Sequence, residues 1–188
     1  MPDDDALYER RLAEVTVGAP RRLDRRIELV ERDSEWARRY ERERAAIRTA
    51  LGARVLRLEH VGSTSVPGLA AKPVVDVVLE VADAADEAAY VPALESAGYL
   101  LVIREPAWFE HRLLRPSAAD VNLHVFGAGC TEVDRMIRFR DRLRTDAADR
   151  ALYEATKREL AAREWTYMQQ YADAKSVVVQ EILARAGG

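Results

Sequence analysis

The sequence predicts an α/β fold of the α+β kind: a mixed sheet with flanking helices, followed by a helical C-terminal third. Three observations carry this. Val74 to Val81 reads Val-Val-Asp-Val-Val-Leu-Glu-Val, a β-branched run of the kind that forms a buried strand. Val55 to Val61 alternates Val55, Arg57 and Glu59 with Leu56, Leu58 and His60, and ends at Gly62-Ser63-Thr64-Ser65. After Cys130 the spacing becomes helical, through Met136, Phe139 and Leu143, then Leu152, Tyr153 and Leu160, then Tyr171, Val178 and Ile182.

In chain order, residues 1–24 have little apolar periodicity and read as a loosely held extension in which Leu7, Leu12 and Val15 dock a short helix at most. The α/β core spans 25–130. It opens with a short strand candidate, Ile27–Val30, and a helix capped by Asp33 or Ser34, striped by Trp36, Tyr40, Ile47 and Leu51 and ended by Gly52. After the two runs above, Asp83 to Ala97 reads as a helix closed by Gly98 despite Pro92. Leu100–Arg104 and Trp108–Arg115 read as antiparallel strands around Glu105-Pro106, and Val121–Phe126 as another. The C-terminal region, 131–188, is predicted as helices at Thr131–Arg144, Ala148–Arg163 and Trp165–Ala186, packed on the core.

Nearly half of the 188 residues are apolar and the net charge is −3, so nucleic acid and anionic membranes are not expected partners. Cys130, the single cysteine, excludes an internal disulfide and suits a cytoplasmic location. No apolar run approaches the roughly 20 residues of a membrane helix.

An ionised Asp76 among valines is costly unless it is paired, hydrogen-bonded or metal-bound. It is read either as a metal ligand or general base facing a nucleotide pocket, or as a carboxylate capping backbone amides. Glu80 shares its strand face but lies roughly 13 Å further along, too far to chelate the same ion and placed at the strand's wet end. His60 and His124, with Asn122, converge on Asp76 if their strands neighbour its own, and imidazole with carboxylate suits a transition metal or an acid–base pair. His111 is a weaker candidate. The Gly62, Ser63, Thr64, Ser65 turn offers backbone amides and hydroxyls to a phosphate without the spacing of a Walker loop. Lys72, Arg140 and Lys157 are candidate clamps for its charge, each with a solvated surface cation as the plainer reading.

The stretch His60-Val61-Gly62-Ser63-Thr64-Ser65-Val66-Pro67-Gly68-Leu69-Ala70-Ala71-Lys72-Pro73 followed by Asp76 resembles the GrpB family, a branch of the nucleotidyltransferase superfamily. Asn122-Leu123-His124-Val125-Phe126, Phe139-Arg140-Asp141-x-Leu143-Arg144 and the pairs Tyr153/Lys157 and Tyr171/Lys175 extend the likeness from Ile27 to Ala186. The resemblance implies a nucleotidyltransferase-like core. Its Gly-Ser turn grips nucleotide phosphates, and acids in an Asp-x-Asp/Glu pattern hold magnesium. Val78 stands where the second acid belongs, and the third-strand position offers His124 or Asn122 instead of an acid. The implied activity is transfer to, or activation of, a small-molecule acceptor using a nucleoside triphosphate and a divalent metal, magnesium or manganese with zinc as the softer choice. Asp76, His124 and His60 are then catalytic, with Asp76 and His124 as metal ligands. The alternative is a non-catalytic nucleotide-binding or protein-folding accessory module of the kind joined to dephospho-CoA kinases. A hydrolase using a histidine-held metal is a third reading.

Overall fold

The computed structural model describes residues 2–31 and 33–187. Its centre is β2 (Val75–Val81), whose valines leave both faces apolar apart from Asp76 and Glu80. β2 pairs antiparallel with β1 (Arg57–Val61) and parallel with β5 (Val121–Gly127). β4 (His111–Pro116) and β3 (Tyr99–Glu105) complete a five-stranded mixed sheet in the order β1-β2-β5-β4-β3.

Because side chains alternate along a strand, the two faces have different fates. Leu58, Val75, Val77, Leu79, Leu123 and Val125 join Trp36, Ile47 and Leu51 of α2 (Glu35–Leu51) and Leu94 of α3 (Val91–Ser96) in the main core. On the other face Val61, Val78 and Phe126 meet Val133 of α4 (Thr131–Thr145). α5 (Ala147–Ala161), α6 (Met168–Ala174) and α7 (Ser176–Arg185) follow α4, and Leu143, Tyr153, Val178 and Ile182 bind these helices to Val66 and Leu69 of the β1–β2 connection. No helix among the described residues is long and apolar enough to cross a membrane.

The predicted mixed sheet and helical C-terminal region are present, with five differences in detail. Residues 2–15 form a full helix, α1 (Pro2–Val15), which is held down: Tyr8 Oη donates to Asp173 Oδ2 at 2.5 Å, and Val17 N donates to Val102 O at 2.9 Å. Ile27–Val30 makes a single bridge, Val30 to Ala71, instead of a strand. The predicted Asp83–Ala97 helix is a 3-10 turn at Glu87–Ala89 followed by the six residues of α3, with Pro92 in the first turn, where a missing N–H leaves nothing unpaired. The last predicted helix starts at Met168, where Gln170 Oε1 accepts from the N–H groups of Thr166 and Tyr167, and divides at Lys175. Lys175 keeps right-handed angles (φ −79°, ψ −12°), so helical spacing runs through the join unchanged. Glu80 is 8 % exposed rather than at a wet end: its Oε1 accepts from Gly129 N at 3.1 Å, which ties β2 to the start of α4.

Candidate functional site

The face of the sheet that carries Asp76 is only partly sealed by α4–α7. Beneath them is a cavity of about 340 Å³, within the range of small-molecule sites. Register explains why chemistry gathers there. Asp76 lies opposite Asn122, and Val78 opposite His124, across the β2–β5 pair, so Asp76, Asn122 and His124 share the cavity face. Asn122 Nδ2 donates to Asp76 Oδ1 at 2.8 Å, while Asn122 Oδ1 accepts from Arg115 Nε at 2.9 Å. His124 Nε2 lies 3.7 Å from Asp76 Oδ1. Burial alone would raise the Asp76 pKa, but His124, Asn122 and the Lys72 charge outweigh it and hold the carboxyl below its ordinary range.

Gly62 makes this approach possible. Its φ of 68° and ψ of −174° lie in a region that only glycine populates freely, and a Cβ built there would stand 2.4 Å from Asp76 Oδ2. The turn therefore packs its backbone directly on the carboxylate. Ser65 braces it by donating from Oγ to Gly62 O at 2.6 Å.

The chain contains three lysines against twenty-six arginines, and all three lysines line this cavity. Lys157, 2 % exposed, donates to Ala70 O and to Ser63 Oγ, the latter at 3.1 Å; burial, then the charge of Lys175, pulls it down to about 7. Lys72 lies over the Tyr171 ring and is pulled down to about 8 by burial and then Lys175. Lys175 lies over the same ring at 4.8 Å. Among the described residues none of the three forms an ion pair, whereas Arg135 at the cavity edge is neutralised by Glu132 at 2.7 Å. The cavity therefore presents three lysines without ion pairs, and Asp76 as the lining carboxylate not spent on an arginine.

Of the residues singled out from sequence, Asp76, His124, Gly62, Ser63, Lys72 and Lys157 come together here. Four do not. His60 pairs opposite Val77 and so projects to the far face, where its ring stacks on Tyr40 at 4.8 Å and Nε2 shares a 3.1 Å hydrogen bond with Thr64 Oγ1. Thr64 and Ser65 are buried in the turn instead of facing the cavity. Arg140 is used to dock α4: its Nη1 donates to Glu59 Oε2 at 2.8 Å and to His60 O at 3.0 Å. Sequence reasoning passed over Glu105 and Arg115. It did place Lys175, with Arg140, Arg144 and Lys157, in a row of helical cations suited to a triphosphate, and of that row the two lysines line the cavity.

His60 has a measurable consequence. Burial lowers its pKa from the ordinary 6.5 to about 4. Its neutral form stabilises the fold fully above pH 6.5, and that stability is lost as pH falls toward 4, because the unfolded chain takes up the proton first. His60→Phe, which keeps the stack on Tyr40, is expected to lose about 2–3 kcal/mol less than the parent between about pH 6.5 and 4.5 in urea unfolding. Equal losses would show that His60 titrates normally.

A resident metal requires a donor set. Asp76 and His124 supply one carboxylate oxygen and one imidazole, Asp76 Oδ1 already accepts from Asn122, and Val78 is fully buried. No group of three His, Cys, Asp or Glu residues among those described is arranged to hold an ion. The donors do not fit a protein-held pair of metals, and the positive charge of the cavity comes from lysine.

The family described as GrpB protein matches residues 26–185. The chain belongs to the GrpB family. A UPF0157 protein of Halalkalibacterium halodurans is 54% identical over 175 residues, covering 93% of this chain and 90% of that one. The crystal structure of GrpB from Enterococcus faecalis superposes with a TM-score of 0.64 at 25% identity, covering 83% of this chain and 99% of that one. A dephospho-CoA kinase of Mycolicibacterium paratuberculosis shares 41% identity over 76 residues, which are 39% of this chain and 19% of the kinase. The family match over residues 26–185 spans the sheet, the residues lining the cavity and the helices that roof it.

Proposed function

We propose that this GrpB protein is a transferase of the nucleotidyltransferase kind, binding a nucleoside triphosphate in the lysine cavity and transferring its nucleotidyl group to a small-molecule acceptor. The observation that supports it is the gathering of all three lysines, with Ser63, around the Asp76–His124 pair. Lys72, Lys157 and Lys175 meet the phosphates, each as a compact point charge in a partly enclosed cavity. The acceptor attacks the α-phosphorus, its proton passes to the Asp76–His124 pair, and pyrophosphate leaves with the electron pair of the broken P–O bond. A metal carried in on the triphosphate itself needs only one or two carboxylates from the protein, and Asp76 is the one available.

The test is thermal denaturation with each nucleoside triphosphate, with and without magnesium, manganese or zinc. Ligand at 100 times its Kd is expected to stabilise the fold by about 2.7 kcal/mol, and Lys72→Met is expected to abolish the shift. No shift with any nucleotide overturns the reading. The segment shared with a dephospho-CoA kinase and the buried Val78 favour a second reading, a non-catalytic accessory module. A nucleotide shift in a protein that never releases pyrophosphate, whatever acceptor amine or alcohol is supplied, would favour that module.

A further inference from the structure

Behind His124, on the side away from Asp76, lies a hydrogen-bonded line that the reading above does not use. Glu105 ends β3 and His111 begins β4, and the two are paired across the hairpin. Glu105 Oε2 lies 2.6 Å from His111 Nδ1, and His111 Nε2 lies 3.0 Å from His124 Nδ1. The rings are held in place by stacking: His111 on His124 at 5.2 Å between centroids, His111 on Phe126 at 4.9 Å, and the edge of Trp108 against His111 at 5.0 Å. His111 is 3 % exposed.

With both rings neutral, counting protons along this line leaves one arrangement. An ionised carboxylate only accepts, so His111 Nδ1 carries a hydrogen toward Glu105. A neutral His111 that donates from Nδ1 holds its lone pair on Nε2. The donor across the 3.0 Å contact is therefore His124 Nδ1–H. A neutral His124 then has its lone pair on Nε2, turned toward Asp76 Oδ1 at 3.7 Å. In this neutral state two acceptors at that separation cannot satisfy one another, and both border the cavity; only a protonated His124 Nε2 helps to hold the Asp76 carboxyl down.

We propose that Glu105 and His111 are positioning residues that fix His124 in the Nδ1–H tautomer, so that Asp76 and His124 Nε2 together receive an acceptor substrate bearing a nucleophilic N–H or O–H group. This rests on the transferase reading for the identity of the site and adds the chemistry of its second substrate. The N–H or O–H hydrogen lies between the two acceptors. As the nucleophile's lone pair forms the new bond to phosphorus, its proton moves to His124 Nε2, and the resulting imidazolium is stabilised by Asp76.

Long-range proton–nitrogen NMR of protein labelled at its three histidines tests this at about pH 8, above the ordinary histidine pKa of about 6.5. The expected spectrum places hydrogen on Nδ1 of both His111 and His124, leaving Nε2 of each unprotonated. Glu105→Leu frees His111 to protonate Nε2, which then donates to His124 Nδ1. The His124 Nε2 resonance is expected to move to the protonated position, while His60, on the opposite face, stays unchanged. His111→Phe, which preserves the stack on Phe126, is expected to release the Nδ1–H preference of His124. A wild-type spectrum with hydrogen on His124 Nε2, or a Glu105→Leu spectrum in which His124 is unmoved, overturns the proposal. The measurement uses no nucleotide, so its failure is distinct from failure of the cavity to bind triphosphate.

Discussion

Gly62→Ala is expected to lower stability by about 3 kcal/mol: roughly 1–3 kcal/mol for a side chain forced into a backbone region reserved for glycine, and a comparable cost for the clash. For a chain of this size that is a fall in Tm of roughly 6–12 °C. The prediction is specific because the clash has one named partner. The added Cβ meets Asp76 Oδ2 at 2.4 Å and the Asp76 Cβ and Cγ at 3.1 Å, and Asp76 cannot retreat without giving up Asn122. A double-mutant cycle separates strain from clash. In an Asp76→Ala background the φ penalty persists but the carboxylate is gone, so Gly62→Ala is expected to cost at least about 1 kcal/mol less there. Strict additivity in urea unfolding would show that the turn does not rest on the aspartate.

This contact also shows how far the site was legible beforehand. The Val74–Val81 run, the alternation of Val55–Val61 and the interrupting glycine are local patterns, and each became the element expected. Asp76 stood out because a carboxylate contradicts a strand of valines. Which strands neighbour one another is a non-local fact. The convergence of His124 and Asn122 on Asp76 needed the parallel β2–β5 pairing, and the departure of His60 needed the antiparallel β1–β2 register, which turns it to the opposite face.

The helical roof was legible as helix but not as joinery. Arg140 has the composition of a phosphate clamp, yet Glu59 and a β1 carbonyl consume its donors. The division between α6 and α7 left no mark because Lys175 remains right-handed. α1 was underestimated because its apolar stripe is thin and its attachment uses Tyr8, Asp173 and backbone groups of β3, contacts that span the length of the chain. Glu105 lies in a hairpin and carries no pattern of its own; only the pairing of β3 with β4 sets it beside His111.

Lys157→Met is expected to separate stability from binding, and the sign depends on pH. In the folded protein burial brings Lys157 down to about 7, against 10.5 when unperturbed. Below pH 7 both folded and unfolded chains carry the proton, and the fold bears the whole cost of a buried ammonium. Between pH 7 and 10.5 only the unfolded chain holds it, so wild-type stability gains as pH rises. Methionine has no such dependence. Relative to Lys157→Met, the wild type is therefore expected to gain about 3 kcal/mol between about pH 6.5 and 9.5 in urea unfolding, at 1.36 kcal/mol per unit. Lys72 contributes a similar slope to both proteins and largely cancels. The same variant is expected to lose nucleotide-induced stabilisation at every pH. A constant gap across the range would mean that Lys157 titrates normally and that the cavity is not tuned. Arginine, used twenty-six times elsewhere in the chain, retains its charge at these pH values and suits ion pairs such as those on α4. A buried lysine instead sits near its titration point, and an arriving phosphate returns the proton that burial disfavours. A charge that costs the empty fold stability is thus useful only when an anion is present, which is the trade expected of a binding residue and not of a structural one.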